Sequence, residues 1–391
     1  MKKLVLFLTL SVIVFSAVFV FYAHKNATDK VVIGMLSGIN SDYRLLRPFR
    51  NGLRLATEEW NANGGINGKR ISLIMADEIE FYSWWRGLWD ILRGNISEYY
   101  PGVAASYLVR KHTVSAFFYY DAYHPTCALF GFQERGIPVI SPTILVGEND
   151  YFFNSRSNQP SWGIMGARFV YEELGLKKSA VIFDVSSDFD KNIAIDFQSK
   201  FESLGGKVVL FEGFQPEAIN IEQFLKKTIN LESEIIFLTP RSFRHDLAKG
   251  IIDKSRELNY TGYFLGHGIW AYSNGVTVEG LTREGSFYLL DFSRENPRPE
   301  VQNFINNYRR RYRVNPCLRA AEGYDAANIL FEAIKNAGTI DGSGIKEALM
   351  NTRIHGVAGL IGFDNNRNSR RAVDFIQVKK GEAIYRSTVF P

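Results

Sequence analysis

The sequence predicts an α/β protein built from two doubly wound, parallel-sheet lobes, and three observations carry that expectation. Val31–Asp77 reads as strand, helix, glycine-rich turn and strand, which is one complete βαβ unit. Short apolar runs then alternate with helical stretches of about 10–15 residues, the pattern of a doubly wound sheet. Finally, 391 residues exceed what one average core accommodates.

The chain opens on Lys2-Lys3 followed by the uncharged apolar run Leu4–Ala23. Export signals have an apolar middle of about 7–15 residues and small residues at the cleavage site. This run is longer, close to the roughly 20 residues that span a bilayer, and it has Phe21 two places before Ala23 and Phe15 two places before Ala17. Residues 1–30 are therefore read as a signal peptide or an uncleaved anchor, with residues 4–23 the membrane contact and the basic start in the cytoplasm.

In the first βαβ unit, Val31–Leu36 is a buried strand, and Leu46, Phe49, Leu53, Ala56 and Trp60 recur three or four residues apart along one helix face. Pro48 fits if the helix begins near Leu45 to Arg47. Asn63-Gly64-Gly65 stops the helix, and Asn67-Gly68 turns into the strand Ile71–Ala76. An aromatic-rich stretch containing Phe81, Trp84, Trp85 and Trp89 follows. Further strands are expected at Val114–Tyr119, Gly136–Ser141, Ser179–Asp184, Lys207–Glu212, Glu234–Thr239 and Tyr263–Gly266. Helices are expected at Pro125–Arg135, Asp190–Leu204, Phe224–Thr228 and Leu247–Leu258, with Asp188 as a helix N-cap.

A composition of 46% hydrophobic and 22% charged residues is that of a globular protein, and a formal charge of +5 is mild. Arg309-Arg310-Arg311 and Arg313 share an amphipathic helix with Phe304, Ile305, Tyr308 and Tyr312; the basic side reads as a solvated face, and no nucleic-acid-binding module is present. There is no CxxC or HExxH, and six scattered histidines give no metal motif. No cofactor is implied. Cys127 and Cys317 are either a disulfide of an exported protein or two free thiols. Asp188 with Asp190, or His124 with Asp121, read as turn-forming and capping groups rather than catalytic pairs, and no enzyme is expected.

The strings LSG, EEWNANGGINGKRISLIMAD, ERGIPVISP, FESLGGKVV, EGYDAANILFEAIKNAG and GLIGFDNNRN resemble the type I periplasmic binding proteins, the leucine/isoleucine/valine-binding group of ABC-transporter receptors. The resemblance covers nearly everything after Lys30. It implies two lobes joined by a three-crossing hinge, with 31–144 plus 291–356 as lobe one and 145–290 plus 357–391 as lobe two. It also implies a small-molecule ligand in the interlobe cleft and an ABC permease as partner. The location it implies is periplasmic or extracytoplasmic, and the apolar run at 4–23 adds the expectation of a tether to the inner membrane through an N-terminal hydrophobic helix.

Strand-end positions are the expected ligand contacts, since ligands of open α/β sheets sit at the carboxyl ends of the strands. These are Ser37, Tyr43, Tyr120, Asp121, Ala122, Thr143, Leu145, Phe189, Arg241 and His267. The resemblance puts Ala122 where the family has a serine and Leu145 where it has a threonine; a register shift of one residue brings Asp121 or Thr143 into place instead. Phe189 stands at a stacking tyrosine, and Gly268 lies near a position that is commonly acidic. Lost hydroxyl partners cost several kcal/mol when a charged headgroup is buried, which points away from a simple branched amino acid. Arg241 suits an anionic group. Two other readings remain: a ligand-sensing receptor domain of the same fold, and a degenerate scaffold that binds another protein through Trp84–Trp89.

Overall fold

The computed structural model describes residues 30–37, 43–77, 114–120, 132, 135–142, 150–156, 159–215, 220–239, 245–267, 272–273, 276–277, 285–380 and 382–391. The chain forms two compact units. The first draws on residues 1–47, 53–153 and 326–352, the second on 48–52, 154–325 and 353–391. The apolar run at residues 4–23, the aromatic stretch at 81–89 and Cys127 lie outside the described residues. Cys317 is exposed and free.

In the first unit, β1 (Lys30–Ser37), β2 (Arg70–Asp77), β3 (Ala116–Tyr120), β4 (Val139–Ser141) and β5 (Phe152–Asn154) form one sheet in the order 2-1-3-4-5. β1 lies parallel to both β2 and β3, and β3 parallel to β4. The crossover from β1 to β2 is α1 (Tyr43–Ala62), which buries Leu46, Phe49, Leu53 and Ala56, the face the periodicity predicts. Its Trp60 is half-buried, donates Nε1 to Asn328 Oδ1 at 2.8 Å and meets Phe331 edge-on at 5.8 Å. Gly64 and Gly65 adopt φ of 94° and 72°, and Asn67 and Gly68 adopt 50° and 80°, the left-handed conformations that the turn into β2 requires.

The second unit repeats the design. Its strands are β6 (Lys178–Asp184), β7 (Lys207–Phe214), β8 (Ile235–Leu238), β9 (Tyr263–His267) and β12 (Ser286–Leu290), with the short pair β10 (Tyr272–Ser273) and β11 (Val276–Thr277) outside the main sheet. The spatial order 7-6-8-9-12, all parallel, is again second-first-third-fourth-fifth. The helices α2 (Gln159–Arg168), α3 (Asp188–Ser203), α4 (Ile221–Asn230) and α5 (His245–Glu257) belong to this unit. β8 and β12 are buried along their whole length, as parallel strands covered on both faces must be. The core is rich in aromatic rings: Phe169 stacks on Phe375 at 4.0 Å and Phe197 on Phe237 at 4.5 Å.

Three expectations need correction. α1 begins at Tyr43, so Pro48 is its sixth residue, beyond the first turn, where the missing N–H costs one intrahelical bond. The N-cap of α3 is Ser187, whose side chain accepts from Asp190 N at 3.3 Å; Asp188 lies in the first turn, where the helix dipole favours its charge. The second sheet is not wholly parallel, because β15 (Val373–Lys379) pairs antiparallel with β12, and β16 (Glu382–Val389) antiparallel with β15. β13 (Leu360–Phe363) and β14 (Ser369–Arg371) form a separate antiparallel pair.

Among the described residues the remaining α-helices are α6 (Pro299–Tyr312), α7 (Leu318–Ala337) and α8 (Gly342–Asn351). α6 buries Val301, Phe304, Ile305 and Tyr308 and exposes Arg309–Arg311, the solvated face expected from its pattern. α7 carries Asp325 into the interior, where its carboxylate accepts from the N–H groups of Val357 at 2.7 Å, Ala358 at 2.9 Å and Leu360 at 3.4 Å. Arg371 is equally buried and donates to the carbonyls of Ser155, at 2.7 Å, and Ala358. Burial pushes the Asp325 carboxyl up to about 6, opposed by the Arg371 charge and by the three N–H donors.

Asp325→Ala leaves the buried Arg371 and three N–H groups without their acceptor, so unfolding free energy should fall by about 3–5 kcal/mol in urea titrations. The folded carboxyl binds its proton more tightly than the unfolded one, whose ordinary pKa is about 3.9. Its contribution is therefore fully present below pH about 4 and declines as the pH rises through about 6. The stability gap between the wild type and Asp325→Ala should narrow across that window, and a gap that widens would contradict this assignment.

Candidate functional site

A 2-1-3-4-5 sheet has one topological switch point, between its first and third strands, where the crossovers leave towards opposite sides and open a crevice at the carboxyl ends. In the first unit that point is flanked by Ser37 and Tyr120, the last residues of β1 and β3, which lie directly opposite one another in the ladder. Ser37 also pairs with Asp77, the last residue of β2, and Ser141 ends β4 nearby. Ser37, Tyr120 and Ser141 are all buried. Tyr43 is the first residue of α1, so the helix's positive N-terminal end stands at this same edge. Asp121, Ala122, Thr143 and Leu145 follow β3 and β4 in the chain and lie outside the described residues.

In the second unit the switch point falls between β6 and β8. Asp184 ends β6 and is buried; its Oδ1 accepts from Ser186 N at 2.8 Å and Ser186 Oγ at 2.6 Å, which folds the loop back beneath the start of α3. Thr239 follows β8, and its buried Oγ1 has no hydrogen-bond partner among the described residues. His267 ends β9 opposite Leu289 of β12. Arg241 and Gly268 lie outside the described residues.

Phe189, in the first turn of α3, is half-buried and meets Trp162 of α2 edge-on, with ring centroids 5.6 Å apart and planes at 71°. The Trp162 indole donates Nε1 to Oδ1 of Asp291, the residue after β12, at 2.9 Å. Trp162, Phe189 and Asp291 thus converge from three elements at one edge of this sheet. The close packing of α2 on α3 that makes this possible depends on Gly163, where a Cβ would press on the Ile193 carbonyl and lie 2.8 Å from Phe197 N. Neither Trp162 nor Asp291 stands out by motif. The available signal is the spacing of Gly163 and Gly166 on one helix, which marks a close helix approach, with an aromatic residue immediately before it.

Asp374 of β15 fixes the segment beyond β12. Its buried carboxylate accepts from Ser293 N at 3.1 Å, Asn296 Nδ2 at 2.8 Å and Thr388 Oγ1 at 2.6 Å. Burial raises its pKa, against the pull of these donors and Arg298. Among the described residues no group of three or more His, Cys, Asp or Glu is placed to hold a metal ion, and no helix is long and apolar enough to cross a membrane.

Two sheets of this order, each open at one switch point on its carboxyl edge, define a doubly wound α/β protein of two units. The family profile described as "Periplasmic binding protein" matches residues 104–383. A Leu/Ile/Val-binding protein homolog from Brucella melitensis is 20% identical over 362 residues, covering 87% of this chain and 86% of its own. A Rhodospirillum rubrum structure described as a branched-chain amino acid ABC transporter superposes with a TM-score of 0.73 at 21% identity, covering 91% of this chain and all of its own (100%). A Rhodopseudomonas palustris ABC-transporter solute-binding protein in complex with 3,4-dihydroxybenzoic acid superposes with a TM-score of 0.58 at 17% identity, covering 93% of this chain and 98% of its own. The chain belongs to the periplasmic binding protein family. It is a solute-binding protein rather than an enzyme, and it works outside the cytoplasm.

Gly163→Ala tests the packing that positions Trp162. Because the added methyl meets backbone rather than a flexible side chain, unfolding free energy should drop by about 1–3 kcal/mol, read from urea midpoints. An unchanged midpoint would mean that α2 yields at no cost.

Proposed function

We propose that the chain captures an amino acid or a related polar or aromatic solute at the carboxyl edges of its sheets and delivers it to an ABC permease. The observation that carries this reading is the repeated 2-1-3-4-5 order, with polar or aromatic side chains beside each switch point. The proposed ligand-facing positions are Ser37, Tyr43, Tyr120, Asp121, Ala122, Thr143, Leu145, Phe189, Arg241 and His267. The Brucella homologue's name gives branched aliphatic amino acids and the Rhodopseudomonas complex a dihydroxybenzoate; together they bracket the chemistry to be tested. The lobe division at 31–144 plus 291–356 and 145–290 plus 357–391 is part of the same proposal. So is anchorage in the inner membrane by an uncleaved helix over residues 4–23, in place of a cleaved signal.

A ligand that binds the folded chain raises its stability by RT ln(1 + [L]/Kd), about 2.7 kcal/mol at a hundred-fold excess over Kd. Thermal-shift measurements across aliphatic amino acids, amides and aromatic acids should therefore find at least one compound that raises Tm. A flat response over a broad panel would defeat the solute-binding proposal. Fractionation of cells expressing the full chain should leave it with the inner membrane, whereas release with the soluble periplasm would defeat the anchor.

A further inference from the structure

We propose that Trp162 forms a specificity-determining wall of the solute site and selects ligands that carry a planar aromatic ring. The inference rests on the solute-binding reading above and adds the ligand class and the residue that recognises it. α2 precedes β6 and runs back across the sheet, so its first turn lies at the carboxyl edge. The contacts of Trp162 with Phe189, just past β6, and with Asp291, just past β12, fix it there.

Both rings pack against the core that includes Ile193 and Phe197, and each remains only partly buried. Planes at 71° make the pair a corner: a flat ring laid against one face presents its edge, or its own face, to the other. Aromatic rings gain from such offset-stacked and edge-to-face arrangements beyond what area alone provides, and aliphatic chains do not. Trp162 is also held in place before any ligand arrives. Its N–H is occupied by Asp291, and Gly163 holds its helix close to α3. A wall with a fixed rotamer loses little freedom on binding, so it discriminates by shape.

The test uses the full chain and titrates benzoate, 3,4-dihydroxybenzoate, phenylalanine, leucine and alanine by calorimetry, with urea midpoints recorded for every variant. At least one ring-bearing probe should bind the wild type more tightly than leucine. Trp162→Ala should raise that probe's Kd by about ten-fold or more. Trp162→Phe, which keeps a ring but loses the bond to Asp291, should raise it less. Phe189→Leu removes the perpendicular ring without touching that bond and should also weaken the ring-bearing probe, which keeps the question open to measurement if Trp162→Ala fails to fold. If leucine binds best, or if removing either ring leaves the Kd of the ring-bearing probe within about two-fold, this inference falls and the solute-receptor reading stands. If no compound in a broad panel binds, both fall.

Discussion

The carboxylate of Asp325 is the constraint on which the arrangement of the second unit depends. A fully buried anion survives only where donors surround it, and here the N–H groups of Val357, Ala358 and Leu360 and the nearby Arg371 do so. Arg371 in turn reaches the carbonyls of Ser155 and Ala358. One small cluster therefore gathers positions 155, 325, 356–360 and 371, segments widely separated in sequence. Asp374 does the same for Ser293 and Asn296 beyond β12. Apolar packing alone is non-directional and holds such segments only approximately; hydrogen-bonded charges fix them to a particular register. That precision matters because the segment beginning at Asp291 also holds the Trp162 indole.

The repeated 2-1-3-4-5 order supplies the second constraint. Parallel strands require crossovers, and reversing the direction of winding between first and third strands leaves the carboxyl edge open at one place in each sheet. Loops leaving that edge carry no obligation to the core, so they change freely while the ladders beneath keep their geometry. Similarity near 20% identity spread over most of the chain is what this separation of scaffold and loops produces.

The sequence reveals the scaffold more readily than the site, and particular residues show why. The face Leu46, Phe49, Leu53 and Ala56 is legible because burial imposes the helical period directly on residue type. The end of α3 toward the site is less so: Ser187, Asp188 and Asp190 are all competent caps, and only backbone geometry decides that Ser187 takes the role. β15 returns antiparallel to β12 from the far end of the chain, a long-range pairing that no local pattern encodes. Ser37, Tyr120 and Phe189 were legible as strand-end or helix-start positions. Trp162 and Asp291 were not, because their meeting depends on α2 lying close to α3, which is set by a glycine and not by a motif.

The bond between Trp162 and Asp291 also bears on ligand chemistry. A carboxylate at the carboxyl edge of a sheet is a natural partner for a ligand ammonium, but Oδ1 of Asp291 already accepts from the indole. Asp184 Oδ1 is likewise occupied, by both the N–H and the hydroxyl of Ser186. Recruiting either oxygen for a ligand means sharing or breaking a bond that organises the edge, and a buried donor abandoned in the exchange costs about 1–3 kcal/mol. These two carboxylates therefore act first as internal braces. Under the solute-binding proposal, what the described part of this edge offers a ligand is the partly exposed ring surface of Trp162 and Phe189. Such a surface rewards a flat, weakly polar body more than a compact zwitterion.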